Sequence, residues 1–95
     1  INVLKRIKNI VKDSKSIEIN EALFKEKAEY NLKDILNSLK DKNFSETIDI
    51  LINSEKDINE FFDTVKINVD EKAISDNRLA LLNNLLKLVG NIIEI

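Results

Sequence analysis

Residues 61–86 read FFDTVKINVDEKAISDNRLALLNNLL, and the fold turns on how that run is divided. Phe61 and Phe62 close an apolar repeat begun by Ile58 and carried on to Val65, with the i, i+3, i+4, i+7 spacing of one helix face. Residues 65–69 then alternate in apolar character and are rich in β-branched side chains, so they read as locally extended. From about residue 76 a long helix follows, expected to reach residue 93. Leu79, Leu82, Leu86, Val89 and Ile93 form one of its stripes, and Leu81, Leu85, Leu88 and Ile92 form a second. At about 100° per residue the two stripes together cover roughly half the cylinder, enough to pack on more than one neighbour. Asn83, Asn84, Lys87, Gly90 and Asn91 fall on its polar face. Arg78 falls inside the apolar half, where a guanidinium needs a carboxylate or carbonyl partner. Asp63 and Asp70, before the last helix, are the candidates nearest in sequence, which makes Asp63 with Arg78 a candidate structural clasp.

Outward from this stretch the pattern stays helical. A first helix is expected over 2–12, with Val3, Leu4, Ile7, Ile10 and Val11 on its buried stripe. Residues 17–19 form a connector, and Asn20 caps a short turn at 21–24. A second helix over 25–42 buries Ala28, Leu32, Ile35, Leu36 and Leu39, with Tyr30 turned away. Asn43 and Glu46 have the spacing of a capping box. A third helix runs from there to about residue 53, burying Phe44, Ile48, Leu51 and Ile52. Ser54, with Asp57 three residues on, reads as the cap of a separate short helix over 55–64. Residues 70–73 form one turn capped by Asp70, and Ser75 or Asp76 caps the last helix. The expected architecture is all-α, a compact bundle of about five helices in a single domain over residues 1–95. One Gly and no Pro fit helices joined by polar turns rather than hairpins.

Composition narrows the chemistry. The chain has no Cys and no His, which removes disulfides, Cys-based metal sites and the commonest general base and metal ligand. Its one glycine, Gly90, lies inside the last helix, so there is no phosphate-cradling loop. Catalytic residues and metal ligands are therefore expected to be absent. No run of apolar residues is long enough to span a membrane. The chain lacks Met and opens on Ile1 within an amphipathic pattern, so it reads as a fragment of a longer, cytoplasmic protein. Net charge is −2, yet residues 1–15 hold Lys5, Arg6, Lys8, Lys12 and Lys15 against Asp13 alone. That polarity can orient a polyanion. Lysines contact phosphates as point charges, whereas Arg6 can also stack or bind in two-pronged fashion. Asn9, Asn77, Asn83 and Asn84 carry base-reading edges, and Phe62 and Tyr30 are rings on which an unpaired base can stack.

Several segments, in order, resemble the C-terminal end of the β subunit of bacterial glycyl-tRNA synthetase, the α2β2 type. They are Lys5-Arg6-Ile7-Lys8-Asn9-Ile10, Ile19-Asn20-Glu21-Ala22-Leu23-Phe24 with Glu26, Ala28 and Glu29, Asn43-Phe44, Phe61-Phe62-Asp63-x-Val65, and Asp76-Asn77-Arg78-Leu79-Ala80-Leu81-Leu82-Asn83. The last two are the most specific, and the likeness covers essentially the whole chain. The chain departs from the family pattern at Glu21, where Pro is frequent, and at Ser75, where Arg is frequent. The resemblance implies a DALR-type anticodon-binding domain that grips the anticodon arm of tRNA(Gly) and works with the α subunit. Amino-acid activation, with its ATP and Mg2+, belongs elsewhere in that enzyme. Candidate tRNA contacts are Lys5, Arg6, Lys8, Asn9 and Lys12 on one lip, and Lys66, Asp76, Asn77 and Arg78 on the other. Asp63, Asp70, Asp76 or an Asn side-chain carbonyl is a candidate acceptor for the amino group of a cytosine. The alternative is a non-catalytic helical module for protein interaction or subunit assembly.

Overall fold

Three polar junctions set the helix ends in the computed structural model, which describes residues 2–67 and 69–90. Asn20 accepts from the Ala22 N–H and starts a single 3₁₀ turn, Glu21–Leu23. Glu26 and Glu29 form a reciprocal capping box at the start of helix α2, Lys27–Leu39. Asn43 and Glu46 form another at the start of α3, Phe44–Thr64. Helix α1 spans Asn2–Val11 and α4 spans Lys72–Gly90. Each box satisfies N–H groups that a helix start would leave orphaned. The chain reverses between α2 and α3 through Asp41, whose φ of 59° is left-handed. Asp tolerates that region better than most residues because its short side chain can bond locally.

The described residues therefore hold four α-helices rather than about five, and the fold is all-α, as expected. The expected break at Ser54 does not occur. Ser54 is half-buried on the same side as Leu51, Ile58 and Phe61, and α3 runs through it for 21 residues. A serine inside a helix costs only a few tenths of a kcal/mol, and continuity here buries one uninterrupted stripe. An unbroken helix has one rotation about its axis. Leu51, Ile58 and Phe61 set it, so Phe44 and Ile52, expected in the core, are 59% and 62% exposed. The turn expected at 70–73 is instead the first turn of α4. The Glu71 carbonyl accepts from Ile74 and Ser75, and the Ser75 hydroxyl donates to the Ile67 carbonyl at 2.7 Å. The expected positions of Asn91, Ile92 and Ile93, and the last helix's end, lie outside the described residues.

α2 packs on both α3 and α4, while α1 packs mainly on α4 and meets α3. Ile7, Leu32, Ile58, Phe61, Leu81, Leu82, Leu85 and Val89 are the central layer and are essentially fully buried. The radius of gyration, 12.5 Å, is close to the roughly 12 Å expected for a compact chain of this length. Among the described residues no helix is long and apolar enough to cross a membrane, and no group of three acidic, His or Cys side chains is placed to hold a metal.

Candidate nucleic-acid interface

Burial of Val3, Leu4, Ile7 and Val11 fixes the rotation of α1. Lys5, Arg6, Lys8, Asn9 and Lys12 are consequently all exposed, as a helix with one apolar stripe requires. The basic face is one continuous surface. Arg6 is seated on a ring: its guanidinium carbon lies 4.4 Å from the centre of the Phe62 ring. Phe62 in turn meets buried Phe61 edge-to-face, with centroids 6.1 Å apart. Tyr30 is half exposed and set edge-on against Phe24 at 4.9 Å.

The opposite lip is built differently from its expected form. Lys66 is exposed, but its carbonyl points inward and accepts from Arg78 Nη1 at 2.6 Å. Arg78 is 5% exposed, and its second contact is Glu29 Oε1, 3.4 Å from Nη2. The carboxylate of the clasp is therefore Glu29, 49 residues away on α2. Asp63 and Asp70 are both exposed. Glu29 has no exposed surface, and the same Oε1 accepts the N–H groups of Lys25 and Glu26. One oxygen thus joins the start of α2 to α4 and, through Arg78, to the segment before α4. Arg78 is a fold element, and its guanidinium is not presented to solvent.

Asn77 is likewise removed from the surface. It is 3% exposed, its Oδ1 accepts from the Asn20 N–H at 2.7 Å, and its Nδ2 donates to the Asn20 carbonyl at 3.0 Å. A primary amide is one of the few side chains able to pair both backbone groups of a single residue. Asn83 Nδ2 donates to the Ser16 carbonyl at 2.8 Å, and Asn84 Nδ2 to the Ile17 carbonyl at 2.8 Å. Three asparagines that looked like base readers thus lace the irregular segment 14–20 to α4. Ala80, between Asn77 and Asn84 on the helix, has no exposed surface. Irregular backbone needs such partners because it lacks a ladder of its own. Replacing Asn77 by Ala removes two hydrogen bonds, each contributing about 1 kcal/mol net. A loss of about 2 kcal/mol is expected by denaturant titration, together with faster hydrogen exchange at the Asn20 amide.

The laced segment borders two shallow clefts. One, of ≈520 Å³, has Ile10, Ile67 and Leu79 as its apolar wall and Ser14, Lys15, Lys72 and Asp76 among its polar groups. The other, of ≈540 Å³, lies along residues 15–20 and shares Asp76. Asp76 is 2.7 Å from Lys72 in an i, i+4 ion pair, with the Asp76 side chain 41% exposed. The end of α1, the segment before α4 and the first turns of α4 therefore meet around one opening. Lys66 and Asp76 stay on the surface there, whereas Asn77 and Arg78 turn into the fold. Sequence reading missed Glu29 as the partner of Arg78; the residue stood there only in the Glu26, Ala28, Glu29 part of the family likeness, and its spacing from Glu26 points to a local cap rather than to α4.

No protein-family profile and no solved structure matches the chain. Curated relatives do. The chain is 34% identical over 103 residues to the glycine–tRNA ligase beta subunit of Thermodesulfovibrio yellowstonii, an alignment covering 97% of this chain. It is 33% identical over 99 residues to that of Aquifex aeolicus, covering 100% of this chain. To that of Coxiella burnetii it is 35% identical over 103 residues. The chain spans about 15% of the length of each of these relatives. Matched over 96–100% of its length by a segment of these subunits, and all-helical among the described residues as the resemblance implied, the chain belongs to the glycine–tRNA ligase beta subunit family.

Proposed function

We propose that this domain binds the anticodon arm of tRNA(Gly) within glycine–tRNA ligase, as a non-catalytic, cytoplasmic element at the C-terminal end of the beta subunit. Its partners are then the tRNA and the alpha subunit of an α2β2 assembly. ATP and Mg2+ are held elsewhere in that enzyme. The observation that carries the reading is the continuous exposed face Lys5, Arg6, Lys8, Asn9, Lys12, set beside the Ile10–Ile67 cleft. A cationic face supplies the sequence-independent phosphate contacts, its exposed Asn9 carries an amide edge, and an adjoining recess lined by Asp76 supplies an acceptor for unpaired bases. The test is the salt dependence of tRNA(Gly) binding by this chain. Each phosphate contact contributes about 0.7 to 0.9 to the slope of log K against log salt. The variant Lys5→Ala/Lys12→Ala is expected to flatten that slope by about 1.5 and to weaken binding. An unchanged slope and affinity would remove α1 from the interface.

A subunit-assembly role is favoured by a different surface. Exposed Phe44 and Ile52 lie on α3 with half-buried Ile48 at the spacing of one stripe. The exposed charges of that helix are six carboxylates against Lys56 alone. Such a face repels RNA and suits a basic, partly apolar protein surface. The two readings use separate faces and are compatible.

A further inference from the structure

Phe62 offers an unpaired base no open ring face on its α1 side, because Arg6 already lies over it. We infer that the stacking platform is Arg6 itself: its guanidinium, backed by Phe62, takes an unpaired nucleobase on its outer face. The inference rests on the RNA-binding reading and goes further by naming a single contact and its mode.

The support beneath Arg6 is graded from buried to exposed. Phe61 is fully buried, Phe62 is half-buried against it edge-to-face, and Arg6 lies 4.4 Å above the Phe62 ring centre. A guanidinium is planar, weakly hydrated and able to stack on both faces. The guanidinium carbon lies over the ring on one side, and the residue remains exposed. Among the described residues, no carboxylate pairs with Arg6. A free arginine pays conformational entropy to adopt one geometry, and the ring beneath reduces that cost before any ligand arrives. The neighbours also suit a nucleotide. Asn9, at i+3, carries an exposed amide for a base edge, and Lys5 stands ready for a phosphate. Ile10, at i+4 and 37% exposed, continues the same edge of α1 into the cleft it shares with Ile67. Lys5 and Lys12 supply charge without a stacking plane; Arg6 supplies both.

The discriminating variant is Arg6→Lys, which keeps the charge and removes the plane. The probe is an RNA stem-loop of the tRNA(Gly) anticodon arm, carrying the fluorescent base 2-aminopurine at one loop position at a time. Stacking quenches this base. The unaltered chain is expected to quench one loop position strongly. Arg6→Lys should lose that quenching and bind about tenfold more weakly, the scale of one lost stack, with the salt slope unchanged. Lys5→Ala/Lys12→Ala should show the reverse, a flatter slope with quenching retained at saturation. If Arg6→Lys quenches and binds like the unaltered chain, Arg6 is a point charge and the inference falls while the RNA reading stands. If the unaltered chain fails to bind the stem-loop, the RNA reading falls and takes this inference with it. Circular dichroism of Arg6→Lys checks that the helices are intact, as an exposed position predicts.

Discussion

Arg78→Ala is expected to be the most damaging single substitution in this domain, costing about 3–5 kcal/mol, because it leaves a buried charge without its partner. Glu29 has no exposed surface, so its carboxylate is left as a buried charge without its guanidinium partner. The Lys66 carbonyl loses its 2.6 Å bond as well. Domains of this size hold only about 5–15 kcal/mol in total, and each kcal/mol is worth about 4–8 °C of melting temperature. A fall of about 12–40 °C is therefore expected in thermal unfolding followed by circular dichroism. The intact pair itself contributes far less than this. Its Nη2–Oε1 distance is 3.4 Å, and Glu29 Oε2 and Arg78 Nε have no hydrogen-bond partner among the described residues. Burying two ions costs about as much as their attraction returns. The double variant Glu29→Leu/Arg78→Leu should accordingly recover much of the loss, short of the capping bonds that Glu29 makes to Lys25 and Glu26. A double variant as unstable as Arg78→Ala would refute this account and make the pair a net source of stability.

Phe61→Ala ranks second, at about 3–5 kcal/mol, the range for deleting a buried phenyl group and leaving a cavity. Phe61 has no exposed surface and belongs to the central layer with Ile58, Leu81 and Leu85. Its carbonyl also accepts the Val65 N–H at the end of α3, but the backbone keeps that bond in the variant. A second effect separates Phe61 from other core positions. Phe62 leans edge-on against it, so the ring beneath Arg6 loses its backing. Phe61→Leu, which keeps most of the volume, should cost about 1 kcal/mol. Denaturant titration of both variants tests the ordering. Near-equal losses would mean that the cavity collapses and that Phe61 packs less tightly than its burial implies.

Much of the fold could be read locally. The caps at Asn20 and Asn43 and the apolar faces of α1 and α2 follow from residues within a turn or two of each other. So does the placement of Arg78 among the leucines of α4. Each depends on interactions between near neighbours in the chain, which sequence spacing reports directly. Ser54 shows where that reading fails. A serine three residues before an aspartate looks the same whether it caps a new helix or sits inside a continuous one. The deciding term is whether Thr47, Leu51, Ile58 and Phe61 gain more by sharing a single stripe against their neighbours. Phe44 and Ile52 were misplaced for the same reason, since two short helices can choose their rotations independently and one long helix cannot.

The candidate interface divides along the same line. The basic, exposed face of α1 is a property of the sequence: the buried positions 3, 4, 7 and 11 set the helix rotation, and the lysines follow. Near the start of α4, function and architecture use the same residue types, so spacing cannot separate them. Asn77 reaches a backbone partner 57 residues away, and Arg78 a carboxylate 49 residues away. Nothing local distinguishes such an asparagine from one that reads a base. The sequence by itself determined helix type, the caps at Asn20 and Asn43, charge polarity and family membership, because these arise from neighbours along the chain or from its overall pattern. Only the tertiary structure decided which polar groups are consumed inside the fold and which remain for a ligand. Burial makes an unpaired donor or acceptor costly, and the partners that Asn77 and Arg78 find come from distant segments that meet only when the helices pack.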